Sequence, residues 1–304
     1  MNALPLSLPQ PINPKLLGSL FVLLSAIGFS AKAILVKLAY VYSVDAITLL
    51  ALRMVFSAPF FIITAIWYSL DQKLSPLTRS DWLTILILGF LGYYLASLLD
   101  FLGLQFISAG LERLILFLYP TFVVVLSVLF YRRSLRKKEL FALLLSYIGI
   151  AIVFQHDIGT IQQNLILGSS LVFASAWAYA LYLIGSGRSI ARIGAMRFMS
   201  YVMIVACVAC FAQFLFTRPL NTVFSQAMPV YGLGIAMALF STVAPAFLLA
   251  LGIRHIGASR ASLISSIGPV TTIFLAYFFL NEPMSAVQLC GSALVLAGVL
   301  LVSL

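Results

Sequence analysis

Four side chains able to do chemistry stand in stretches that are otherwise hydrocarbon: Lys32, Arg53, Asp100 and Glu112. An ionised group at the centre of a spanning helix costs about 2.5 to 3.5 kcal/mol even on the most permissive scale, and such groups face polar cavities or opposite charges. A lysine or arginine so placed can hold a carboxylate or phosphate, and an aspartate can balance the cation when the ligand is gone. At about 1.5 Å per helical residue, Lys32 and Arg53 lie some 9 to 12 Å inside the ends of their helices. Asp100 and Glu112 lie within about 6 Å of theirs. Under the topology derived below all four share the outer half of the membrane. The expected pairs are Lys32 or Arg53 with Asp100, and Arg113 beside Glu112. A Lys32–Asp100 pair that opens for a ligand would couple occupancy to helix movement, and titration of Asp100 would make protons a coupling ion. The alternative is structural: ion pairs that lock helices together, or cations that snorkel outward.

The elements that must position these groups are membrane helices. Of 304 residues, 63% are hydrophobic and 9% charged, with a mean hydropathy of +1.13, which excludes an ordinary soluble domain. A spanning helix needs about 20 largely apolar residues. Ten such stretches are expected at 16–38, 46–69, 82–104, 109–131, 139–155, 165–185, 195–216, 230–253, 259–280 and 285–304. Residues 1–14 are proline-rich, lack the basic leader of a signal peptide, and read as a flexible tail.

The stretches form two copies. Residues 99–149 match 248–298 without a gap, pairing Gly103 with Gly252, Ile107 with Ile256, Leu114 with Leu263, Pro120 with Pro269 and Gly149 with Gly298. Five spans per copy is an odd number, so the second copy enters the bilayer from the opposite side, the scaffold of many alternating-access transporters. The expected fold is therefore an all-α membrane protein of ten transmembrane helices in two inverted five-helix repeats, residues 15–157 and 158–304. The charges do not follow the repeat: Asp100, Glu112 and Arg113 become Leu249, Ala261 and Ser262, and Lys32 aligns with Tyr182.

Orientation follows the basic residues. Arg132, Arg133, Arg136, Lys137 and Lys138 crowd one loop; placed in the cytoplasm, they bring Lys15, Lys73, Arg79, Arg188, Arg192, Arg197, Arg254 and Arg260 with them, and both termini. The same distribution accounts for the net charge of +10 by attraction to anionic lipid, without a nucleic-acid partner. Cys207, Cys210 and Cys290 sit within spans and read as small apolar side chains. His156 and His255 are far apart, and no nucleophile with its base, metal set or cofactor motif is visible, which argues against an enzyme. No pore loop or ring of charges suggests a channel.

Pro120 and Pro269 occupy equivalent places, where proline would bend a helix. Tyr93, Tyr119, Trp177, Tyr179 and Tyr182 could wall an apolar or aromatic substrate pocket; packing and lipid contact are the alternative.

Gly28-Phe29-Ser30 followed by Lys37-Leu38, Leu52-Arg53, Gly103-Leu104-Gln105 before Ser108-Ala109-Gly110, and Ile256-Gly257-Ala258-Ser259-Arg260 through Gly268-Pro269-Val270 to Asn281-Glu282-Pro283 resemble the EamA repeats of the drug/metabolite transporter superfamily. The resemblance covers nearly the whole chain after Pro14 and implies a bacterial inner-membrane carrier, a basket of helices around a central cavity. It implies export of amino acids or related carboxylates, with sugar phosphates, nucleotide sugars or drugs as alternatives. By position it makes Lys37, Arg53 and Glu282 structural or gating residues, to which the ion-pairing candidates Glu112, Arg113 and Arg260 are added. Lys32 departs from the usual uncharged residue. The expected partners are a small-molecule substrate, membrane lipid and candidate coupling protons, in a monomer or homodimer.

Overall fold

A computed structural model describes residues 14–70, 75–131, 137–158, 164–256, 264–265 and 267–303. Residues 1–13 of the expected tail, and Lys73, Arg132, Arg133, Arg136 and Arg260, lie outside the described residues. Among the described residues all regular structure is helical. The helices are α1 (Pro14–Tyr40), α2 (Ala46–Ser69), α3 (Arg79–Gly89 and Ala96–Gly103, joined by a π turn at Phe90–Leu95), α4 (Ala109–Leu116), α5 (Tyr119–Tyr131) and α6 (Lys137–Ile158). Then follow α7 (Leu165–Ile193), α8 (Ala195–Thr217), α9 (Met228–Ala238 and Ala244–Ile256, joined by a π turn at Leu239–Val243), α10 (Gly268–Leu280) and α11 (Ala286–Ser303). Among the described residues six stretches are long and apolar enough to cross a membrane: Pro14–Tyr40, Ala46–Ser69, Arg79–Gly103, Leu165–Gly187, Ala195–Thr217 and Met228–Gly252. Shorter apolar helices occupy Leu144–Gln155, Gly268–Leu280 and Ala286–Gly298.

Local chemistry sets the boundaries. Asp45 starts α2 by accepting the Ile47 and Thr48 amides at 3.1 and 3.2 Å, because the first-turn N–H groups of a helix have no intrahelical acceptor. Thr78 and Asp81 form a reciprocal capping box on α3. Gly194, at φ +90°, separates α7 from α8 in a conformation that side chains disfavour.

The fourth expected span is not one helix. It breaks at Phe117–Leu118, where Leu118 N donates to Ile115 O at 3.0 Å, and restarts with Pro120 in the first turn of α5. The equivalent bond in the second copy, Ile267 N to Ile264 O at 3.3 Å, precedes Pro269 in the first turn of α10. Proline has no N–H and suits a helix start. Thus these residues begin new helices where a bend within a continuous helix was expected.

The same seam is built twice. α1 runs antiparallel to α9, with Gly18 against Gly252 and Gly28 against Pro245; α7 runs antiparallel to α3, with Gly168 against Gly103 and Tyr182 against Gly92. Ser25 Oγ donates to Pro245 O, and its counterpart Ser175 Oγ to Ala96 O, both at 2.7 Å. The π turns fall at equivalent places in the two copies, and α6 lies antiparallel to α11 through Gly149 and Gly291. In lipid no hydrophobic effect drives helices together, so close backbone approach at glycines and interhelical hydrogen bonds do so. The outer surface is correspondingly apolar, with Ile63, Trp67, Phe216, Phe240 and Phe278 exposed.

Candidate functional site

The intramembrane charges converge. Lys32 of α1 forms an ion pair with Asp100 of α3 and lies 3.4 Å from Glu112 Oε1 of α4. Asp100 is 2% exposed and Glu112 fully buried, so one ammonium serves two carboxylates away from water. The expected neighbouring of Glu112 and Arg113 does not form an ion pair. Consecutive helical residues point about 100° apart, so α4 sends Glu112 toward Lys32 and Arg113 toward the cavity.

Two guanidinium groups remain over. Arg53 is buried on α2; its Nη2 donates to Ser97 Oγ at 2.9 Å, its carbon lies 4.8 Å from the Phe101 ring centre, and its Nε has no acceptor. Arg113 rests against Gly268, where an added methyl would come within 3.0 Å of its Nη2, and its Nε also has no acceptor. Among the described residues neither arginine has a carboxylate within ion-pair distance.

Both arginines line one partly open cavity of about 200 Å³, together with Lys32 and Asp100. Tyr93, Tyr119 and Tyr179 form its aromatic wall; Tyr119 and Tyr179 meet edge to face at 5.2 Å. Tyr182 backs that wall, 5.1 Å from Tyr93 and packed on Gly92, and Trp177 stacks on Phe122 at 4.7 Å. Neither is among the residues that line the cavity. Sequence reasoning passed over Ser97, Ser241 and Thr242, which line the cavity. Hydroxyls in apolar spans were the available signal. What exposes Gly92, Tyr93, Ser241 and Thr242 together is the pair of π turns, which no sequence period announces.

The remaining candidates sit at the cavity's margins. Glu282, following α10, accepts the Ala109 amide at 3.1 Å and so caps α4 together with Ser108, whose hydroxyl accepts the Leu111 amide. A negative group there also suits the helix dipole. Lys37 lies within electrostatic reach of Glu282 and Glu112. The Ser30 hydroxyl, whose proton is shared between Ala26 O at 2.7 Å and Gly268 O at 3.1 Å, brings α1 against the start of α10 beside the buried Pro269. At the ends of the helices, Arg192 pairs with Asp81, and Arg218 with Asp45 at 3.3 Å. No group of three or more metal-ligating His, Cys, Asp or Glu occurs among the described residues.

Comparison with known proteins accords with this architecture. The uncharacterized transporter YcbK of Bacillus subtilis is 30% identical over 280 residues, 90% of this chain and 88% of its own. The uncharacterized transporter sll1319 of Synechocystis is 27% identical over 305 residues, 93% of this chain and 92% of its own. A solved crystal structure superposes with a TM-score of 0.64 at 15% identity, covering 93% of this chain and 94% of that one, which shows a shared fold. The profile of the EamA-like transporter family matches twice, at residues 16–155 and 166–304. This chain, a multi-pass all-α membrane protein, belongs to the EamA-like transporter family.

Proposed function

We propose that the protein is a secondary transporter that exports small carboxylated metabolites, amino acids or related carboxylates, by alternating access around this cavity. The observation that carries the reading is the pair of guanidinium groups, that of buried Arg53 and that of half-buried Arg113, that line the cavity without a carboxylate partner among the described residues. Uncompensated buried charge is expensive, and a ligand carboxylate would relieve it through charge-assisted, bidentate hydrogen bonds. Lys32, engaged by Asp100 and Glu112, holds the first-copy helices in register around the ligand. In this reading ten spans form two inverted repeats in a bacterial inner membrane, both termini are cytoplasmic, and the doubled seam lets the halves exchange conformations about a fixed site. Protons are the candidate coupling ion.

The test is counterflow of labelled amino acids, organic acids and phosphorylated sugars into proteoliposomes. Saturable uptake of a carboxylate, lost in Arg53→Gln although that variant reconstitutes normally, is expected. Uptake confined to phosphorylated sugars would replace this reading with that of a sugar-phosphate exchanger. Saturable uptake of nothing in the panel would overturn it.

A further inference from the structure

The balance of charge within the cavity narrows the ligand further. Five ionisable side chains meet there or directly behind it: three basic, Lys32, Arg53 and Arg113, and two acidic, Asp100 and Glu112. Both carboxyl groups face Lys32, and Glu112 is fully buried behind the wall. Asp100 is the one carboxylate among the described lining residues. We propose that the site is built for a monoanionic carboxylate without an ammonium group, an organic acid such as a 2-oxo acid, and discriminates against the corresponding zwitterionic amino acid. This rests on the carboxylate-transporter reading above.

The two ligands differ at one carbon. A 2-oxo acid brings negative charge to a cluster in which basic side chains outnumber acidic ones, and its carbonyl oxygen is a second acceptor for guanidinium or seryl donors. Arg53 Nε and Arg113 Nε are buried donors without acceptors, and the hydroxyl of Ser97, which accepts from Arg53, lines the cavity with its own proton free to donate. The amino acid brings no net charge, so the imbalance persists. Its ammonium also needs an acceptor. The candidate is Asp100 Oδ1, which has no hydrogen-bond partner, but a cation drawn there would sit beside Lys32, with Arg53 also close. A dry site magnifies both effects, because like charges are poorly screened there. A ligand ammonium desolvated in the cavity without a free acceptor carries the cost of an unpaired buried charge. Tyr93, Tyr119 and Tyr179 leave the other end of the ligand an apolar or aromatic surface.

The experiment compares phenylpyruvate with phenylalanine, and pyruvate with alanine, in counterflow by the full chain reconstituted in liposomes. The expected result is a kcat/KM at least about tenfold higher for the oxo acid of each pair, with the gap narrowed in Arg113→Gln. Equal or better transport of the amino acids would overturn this inference and leave the carboxylate transporter standing. Transport of neither pair alongside saturable uptake of another carboxylate would overturn this inference alone, and alongside uptake only of ligands without a carboxylate would overturn both. Should the variant fail to reconstitute, thermal stabilisation of the unaltered protein decides: phenylpyruvate is expected to stabilise it and phenylalanine not to, and the reverse order or no stabilisation by either overturns the inference.

Discussion

Lys32 Nζ lies 3.4 Å from Glu112 Oε1 while also paired with Asp100, so the two carboxylates depend on a single ammonium. Three helices, α1, α3 and α4, are therefore joined at one point by charge. Lys32 has a side-chain exposure of 14%, and the shared contact is largely shielded from water.

Removing that ammonium should be costly. Lys32→Met leaves two adjacent carboxylates buried without a counter-charge, a loss of about 3 to 5 kcal/mol for a broken buried pair. The apparent Tm of the purified protein should fall, and adding Glu112→Gln to Lys32→Met should recover part of the loss. A Lys32→Met protein as stable as the unaltered one would show that the trio carries no structural load.

The doubled seam makes a quantitative prediction. Ser25→Ala and Ser175→Ala each remove one hydroxyl-to-carbonyl bond of 2.7 Å between antiparallel helices, worth about 0.6 kcal/mol on average and up to about 1.7. The two effects should match and, at separate sites, add in the double variant within about 0.5 kcal/mol. Denaturation in mixed micelles measures this; markedly unequal effects would deny that the seams are equivalent.

Glycine spacing offers a harsher probe of the same relationship. A side chain at Gly103 would meet Gly168 O at 2.8 Å, and one at Gly252 would meet Gly18 O at 3.1 Å. Backbone cannot give way as a flexible side chain can, so Gly103→Val and Gly252→Val should both reduce the yield of monodisperse protein. Gly232, where an added methyl would meet nothing within 4 Å, is the control: Gly232→Val should purify normally. Size-exclusion profiles read all three, and normal behaviour of the first two variants would refute the close contact.

Arg53→Lys separates charge from shape. Lysine keeps the positive charge but loses the flat fork that donates to Ser97 and stacks over Phe101. Substrate KM should rise about tenfold, equivalent to about 1.4 kcal/mol, with kcat changed less. An unaltered KM would place the carboxylate elsewhere in the cavity.

Lys32, Arg53 and Asp100 were legible in the sequence because charge in an apolar helix is expensive and their depths coincide. The two copies were legible because glycines and prolines recur at a fixed offset. The partnership of Glu112 was not, since adjacency to Arg113 in the chain says nothing about which way each side chain leaves the helix. The placement of Trp177 and Tyr182 beside the cavity lining was not legible for a related reason: an aromatic ring deep in an apolar helix reads the same whether it faces a cavity or a neighbouring ring. The break at Phe117–Leu118 escaped because the surrounding residues are apolar throughout, and a helix start within an apolar stretch has the same composition as its middle.

Each π turn, at Phe90–Leu95 and at Leu239–Val243, winds one residue more than an α turn requires. That surplus residue has no fixed address. By exchanging one backbone acceptor for the next it can travel along the helix, turning every side chain it passes by about 100°, while the segments on either side keep their bonds. Gly92, Tyr93, Ser241 and Thr242 lie within the two turns and on the cavity wall. The surface offered to a passenger is thus a matter of helical phase, and two migrating defects, one in each copy, can redeal it without any helix unravelling.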